Sequence, residues 1–127
     1  MNPYFQHVID LHIAIEQWLG KGTGELPALL NPFTDDFSMV TLGGGTLDKP
    51  ALAAFFTAHG NARPGLAIDI EEMALIAQWP EGAVVSYQER QRLPGQPAHL
   101  RRSTVVFSHT EAGLQWRHLH ETPVSGA

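Results

Sequence analysis

The sequence predicts an α+β fold, with about three N-terminal helices packed on a bent, mixed or antiparallel sheet of four to six strands. Two observations carry this reading. Apolar residues recur at helical spacing up to Gly60 and alternate in strand fashion from Leu66 onward, and the later segments are joined by short turns rich in Pro and Gly. Helices first and strands last is an α+β order, whereas a parallel sheet needs strands and helices to alternate along the chain. A length of 127 residues bounds the chain to one domain, 1–127, around one core. With 43% hydrophobic and 17% charged residues the composition is globular and excludes disorder, collagen and coiled coil.

Asn2 is a good N-cap and Pro3 suits the first helical position; Tyr4, Val8, Leu11, Ile15 and Trp18 then follow at spacings of four and three. Phe5, Ile9 and Ile13 add a second apolar row, and Gly20 and Gly22 end this helix. A short helical turn is expected from Glu25 to Leu30, stopped by Asn31-Pro32. Phe37 to Leu42 reads as a strand. The Gly43-Gly44-Gly45 run lacks the lysine and spacing of a phosphate loop and is read as a flexible turn into a helix capped by Thr46 or Asp48. That helix presents Leu52, Phe55, Phe56 and Ala58 and breaks at Gly60, Asn61, Pro64 and Gly65. Leu66 to Trp79 is a long strand whose alternation shifts phase at Glu71-Glu72, the mark of a bulge. Ala83–Leu93, Leu100–Ser108 and Leu114–Glu121 complete an antiparallel run, linked through short turns.

Charge narrows the partners. A net charge of −5 opposes the counterion-release binding that basic proteins use, so neither nucleic acid nor an anionic membrane is an expected partner. The absence of cysteine excludes disulfides, cysteine-ligated metal and thiol catalysis. No apolar run reaches membrane-spanning length, and Asp10 and Glu16 interrupt any leader-like start, so a cytoplasmic location is expected.

Few motifs carry chemistry outright. None of Ser38, Ser86, Ser103, Ser108 and Ser125 sits in a G-x-S-x-G elbow, which argues against a hydrolase triad. His118-x-His120 could place two imidazoles on one strand face, but a third ligand would have to come from His99 or His109 in loops, so no metal site is assigned. Along the last strand Trp116, His118 and His120 share one face, while Arg117, Leu119 and Glu121 share the other. Glu89, Arg90, Arg92, Arg101, Arg102, Arg117 and Glu121 cluster on the late strands. Some form a cross-strand ladder and others border a cavity or a partner.

With this element order, the ending W-R-H-L-H-E-T (Trp116 to Thr122), the segment D-D-F-S-M-V (Asp35 to Val40) and R-R-S-T-V-V-F (Arg101 to Phe107), the chain resembles the nuclear transport factor 2-like superfamily. The ending is similar to the Trp strand closing in His-x-His-x-Ser/Thr that occurs in SnoaL-like proteins and in the association domain of calcium/calmodulin-dependent protein kinase II. The resemblance implies a cone-shaped, cystatin-like fold, a homodimer formed through the outer sheet face, and Arg117, Leu119 and Glu121 turned into the cone, with Trp116, His118 and His120 outside. Glu121 stands where the kinase association domain has an arginine, so that domain's anionic pocket is not carried over.

Two functions follow. In the first, the cone holds a small apolar or carbonyl-bearing molecule and converts it by acid/base chemistry of the isomerase, dehydratase or cyclase type, without an organic cofactor. A carboxylate in an apolar cavity has its pKa raised toward neutrality, as proton abstraction requires. Glu121 and Glu89 are the candidates, with Tyr87 as hydrogen-bond donor to a developing oxyanion. Arg117, Arg101, Arg102, Asp36 and Leu119 are the expected ligand-binding residues, and Asp69 is a further acid. In the second function the sheet face is a dimerisation or interaction surface and the cone is idle.

Overall fold

The computed structural model describes residues 2–124, so Ser125 lies outside it. Helix α1 (Pro3–Lys21) opens with Asn2, whose side chain accepts hydrogen bonds from the backbone N–H groups of Tyr4 and Phe5. It ends at Gly22, which takes the left-handed angles (φ 67°) that a side chain would resist. Helix α2 (Leu26–Leu30) is a single short turn, and α3 (Lys49–His59) is capped by Asp48. Of the helix rows read from the sequence, Tyr4, Val8 and Leu11 are buried, but Ile13 is half exposed. The buried stripe runs instead through Val8, Leu11, His12 and Leu19.

Six strands form one mixed sheet: β1 (Phe33–Val40), β2 (Thr46–Asp48), β3 (Ala67–Trp79), β4 (Gly82–Arg92), β5 (His99–Thr110) and β6 (Gly113–Pro123), in spatial order β2-β1-β6-β5-β4-β3. Strands β3 to β6 are antiparallel neighbours joined by the expected short turns. Strand β1 begins four residues earlier than read and lies parallel to β6, while the unforeseen β2 pairs with its outer edge. Parallel pairing of β1 with the most distant strand makes the sheet mixed, a long-range relation that alternation within a segment cannot express.

The phase shift at Glu71-Glu72 is a true bulge. Glu72 has φ 54° and the β3–β4 register jumps between Glu71 and Ala74, bending the longest strand. The β3–β4 register shifts again between Leu75 and Ala77, and a further bulge lies in β6, where Val106 pairs with His118 but Phe107 pairs with Trp116, leaving Arg117 as the extra residue.

The core lies between the helices and the inner sheet face, centred on Trp116, Tyr87, Phe107, Phe37 and Val8. Trp18 fastens α1 to α3 by donating its indole N–H to the Phe56 carbonyl at 2.9 Å. Glu16 accepts the Ile68 amide at 2.7 Å and fastens α1 to β3. Because helices cover only part of the bent sheet, Leu75, Ile76 and Trp79 at the far end of β3 stay exposed.

Gly82 marks where backbones approach most closely: a Cβ there would collide with the Phe107 carbonyl and touch the Trp79 ring. Gly82→Ala is expected to cost about 2 kcal/mol through this overpacking. Gly43→Ala, in open space, is expected to stay within about 0.5 kcal/mol of the parent. Urea unfolding of the two variants checks the difference.

Candidate ligand cavity

A cavity of about 470 Å³ lies between α1, α3, β1 and the inner face of β4 to β6. Its walls are mostly apolar, with Leu11, Ile15, Phe33, Leu52 and Phe56 among them. The polar lining is concentrated in His12, Glu89, Gln91, Arg101 and Glu121, with Arg63 contributed by the loop after α3.

Alternation places Glu89 and Gln91 inward on β4 and Arg101 inward on β5, since each faces the side of the buried Val85, Tyr87 and Val105. On β6 the bulge resets the alternation, so Trp116 joins Leu119 and Glu121 on the inner face.

His12, from α1, meets this strand set at its centre. Its Nε2 lies 3.1 Å from Glu89 Oε1, and both side chains are almost completely buried. Its Nδ1 is 2.7 Å from the Val8 carbonyl oxygen, which can only accept, so Nδ1 carries a proton. Gln91 donates to the other Glu89 oxygen at 2.6 Å. Burial opposes charge on both partners, but the Glu89 charge and hydrogen bond carry the His12 pKa above its usual value. For Glu89, burial is likewise outweighed by His12, with help from Arg101 and Gln91, and the carboxyl titrates well below its usual range. Both shifts favour the imidazolium–carboxylate form of the pair, and each member has its hydrogen-bonding capacity directed at a partner.

Glu121 is held differently. Its only polar partner among the described residues is Arg101, whose Nη1 lies 3.3 Å from Oε1. Burial raises its pKa; Arg101 offsets this only in part, and the Glu89 charge adds to the rise. Two carboxylates in one cavity thus have opposite tendencies: Glu89 is pushed toward ionisation and Glu121 toward holding its proton to higher pH than an ordinary carboxylate. Two buried donors beside them, Arg101 Nε–H and the Trp116 indole N–H, have no protein acceptor.

Glu89, Glu121, Arg101 and Leu119 are therefore brought together, while the other expected site residues lie elsewhere. Tyr87 is fully buried behind the lining, opposite Ser103 with no hydrogen bond to its hydroxyl, and its ring packs edge-on against His12 with centroids 5.4 Å apart. Burial raises its pKa well above the usual value. Arg117 and Trp116 exchange the faces expected of them, because the strict alternation read from the sequence does not allow for the bulge. Arg117 instead reaches over the surface to Asp36, donating to its backbone carbonyl at 2.9 Å and pairing with its carboxylate at 3.3 Å. Asp36 is thereby tied to an exposed ion pair, and Arg102 lies on the outer face at 3.1 Å from Glu72. Asp69 pairs with Arg92, and Glu71 with Arg90, completing a solvent-screened ladder of surface pairs. His118 and His120 face outward, His118 sharing a 2.7 Å hydrogen bond with Ser38; His109 is engaged by the Tyr4 hydroxyl.

Comparison with known proteins agrees with this architecture. An NTF2-like protein of unknown function from Pseudomonas aeruginosa is 40% identical, with 96% of this chain and 98% of that one covered and a TM-score of 0.90. The chain belongs to the NTF2-like family. An NTF2-like protein from Cytophaga hutchinsonii shares the fold at 14% identity (TM-score 0.73, covering 98% and 100% of the two chains). A domain of unknown function with a cystatin-like fold from Nostoc punctiforme does so at 21% identity (TM-score 0.69, 98% and 80%). No protein-family model matches the chain, and no curated protein does.

In this NTF2-like cone three polar lining residues, His12, Gln91 and Arg63, are not among those expected from the sequence, and His12 is the most deeply buried of them. Its position was available: four residues after Val8 and next to Leu11, it falls on the inner stripe of α1, where an unpaired polar side chain would be costly. His12 contributes stability in full below its unfolded pKa near 6.5 and loses it as pH rises through the higher folded value. Glu121, also raised, loses its contribution in the same direction, from about 4.5 upward. Glu89 has the opposite sign and loses its contribution only in acid, below about 4.5. Urea midpoints are expected to fall from pH 6 to pH 9. His12→Ala, which strands a buried carboxylate, is expected to lose about 3–5 kcal/mol at pH 6 and to flatten that slope.

Proposed function

We propose that this NTF2-like chain binds a small, largely apolar molecule bearing a carbonyl group in the cone and moves a proton on it through Glu121. One observation carries the reading: a buried carboxylate with a raised pKa, held by one long contact to Arg101, lies at the polar end of an apolar cavity. Glu89 is a poor base, since its charge is consumed by His12 and Gln91. Its role is positional, fixing His12 and supplying the negative field that keeps Glu121 avid for a proton.

The chemistry is a proton transfer beside a carbonyl. Glu121 takes a hydrogen from the carbon next to the carbonyl, the electron pair moves to the carbonyl oxygen, and Arg101 Nε–H or the Trp116 indole N–H donates to that oxygen. Return of the proton to the same carbon gives exchange; return to a conjugated carbon gives isomerisation. Tyr87, placed behind the lining, supports the His12 ring in this scheme. No organic cofactor enters it.

Exchange of α-hydrogens in deuterated buffer, followed by NMR over a panel of cyclic and aryl ketones, tests the proposal. At least one ketone is expected to exchange faster with the protein than in buffer, and Glu121→Gln is expected to reduce that rate by about 100-fold or more. Equal rates for Glu121→Gln and the parent, or no acceleration across the panel, would reject it.

A second reading concerns assembly. Leu75, Ile76 and Trp79 form an exposed apolar end on β3, beside an outer sheet face that no helix covers. We infer a homodimer through this side of the sheet, which is compatible with a working cone. Sedimentation at micromolar concentration is expected to give a dimer for the parent and a monomer for Ile76→Glu; a monomeric parent would refute it.

A further inference from the structure

The charged lining of the cavity does not cancel. The basic side chains His12, Arg63 and Arg101 outnumber the carboxylates Glu89 and Glu121 in the lining, in a chain whose net charge is −5 with its histidines neutral. The pairing identifies the surplus residue. His12 is matched by Glu89 and Arg101 by Glu121, whereas Arg63 has no carboxylate within ion-pair distance among the described residues. When Glu121 holds a proton the imbalance grows.

Arg63 is also well placed. Its backbone N–H donates to the Leu19 carbonyl at 2.9 Å, which pins the loop after α3 to the C-terminal end of α1, and its side chain borders the cavity while remaining exposed to water. His99 lies near the same corner. Its pKa is lowered by burial first and then by Arg101, against an opposing pull from Glu89 and with a smaller contribution from Arg63, so both guanidinium groups are felt in one region. Apolar walls concentrate such a field, because little water lies between the charge and a bound molecule. The buried Arg101 Nε–H and Trp116 indole N–H are two further donors without acceptors, so an oxygen-rich group is what the polar lining lacks.

We propose that the cavity selects an amphipathic anion, a carboxylate attached to an apolar body, and that Arg63 at its rim recognises the carboxylate. This rests on the reading of the cone as a ligand pocket and adds a charge to the ligand. The apolar body fills the space among Leu11, Ile15, Leu52 and Phe56, and the carboxylate accepts the guanidinium hydrogens of Arg63 in a charge-assisted pair. Cationic amphiphiles of the same shape are excluded by the same charge.

Isothermal titration at pH 7 with octanoate, 1-octanol and octylamine, which share one tail and differ in head group, tests this. Octanoate is expected to bind at least about tenfold more tightly than octanol, with octylamine weakest, as one charge-assisted hydrogen bond allows. In Arg63→Gln the affinity for octanoate is expected to drop to that for octanol, while Arg63→Lys keeps a preference for the anion. Octanol binding as tightly as octanoate, or an undiminished preference in Arg63→Gln, would overturn the assignment and leave the pocket standing. Binding of none of the three would overturn the pocket and this inference together. A ketone panel without exchange, beside a clear octanoate preference, would remove only the proton-transfer step.

Discussion

The buried pair of His12 and Glu89 is the constraint around which the rest of the molecule is arranged. It joins the first helix to a central strand at 3.1 Å, inside a region where either charge alone would be prohibitively expensive. Its geometry dictates that α1 lie over β4 with the Val8 carbonyl aimed at one imidazole nitrogen and Glu89 at the other. The ring is then packed by Tyr87 at 5.4 Å and Trp116 at 6.0 Å, so the largest core side chains surround a charge and not a hydrocarbon. Such a pair adds little net stability compared with apolar packing, but it is intolerant of alternatives, and it leaves one face of the ring set open to the cavity.

The bulge at Arg117 is the second determinant. One additional residue turns Trp116 inward and frees Arg117 to cross the surface to Asp36, so a single backbone irregularity both floors the cavity and anchors its outer wall. The bulge at Glu72 has a comparable effect on β3, bending it so that the helices cover one end of the sheet and leave the other bare. Cavity and exposed apolar end are thus products of the same curvature.

How much of this could be read from the residues differs from feature to feature. Asn2, Gly22, Asp48 and the Glu71-Glu72 phase shift act within a few residues of themselves, and their roles as caps and bulge are visible in local spacing. The inward position of Glu89 follows from simple alternation beside Val85, whereas Arg101 and Arg102 are adjacent candidates whose faces are told apart only by the pairing of β5 with its neighbours. The faces of Arg117 and Trp116 are not legible because no residue type marks their bulge: a Trp-Arg-His run reads equally well as regular strand. His12 is hard to read from the sequence for another reason. Its partner is far away along the chain, and a histidine on an apolar stripe shows its purpose only when the strand opposite is known to carry a carboxylate. The parallel β1–β6 pairing was hidden in the same way, since two segments at opposite ends of the chain contain no local trace of one another.

That pairing also imposes an order on how the molecule is made. Strand β6 sits between β1 and β5, so the β1–β2 ribbon has no neighbour for its inner edge until the last strand has been synthesised. Strands β3, β4 and β5 can assemble as a meander while β1, with its row of unpaired amides and carbonyls, waits. Closure then requires a loop spanning most of the chain, which is entropically slow and leaves a sticky edge open in the meantime. The floor of the cavity, Trp116, Leu119 and Glu121, arrives on that same strand. Completion of the cavity and completion of folding are therefore one event: until the last strand is seated, the space between helices and sheet has no floor.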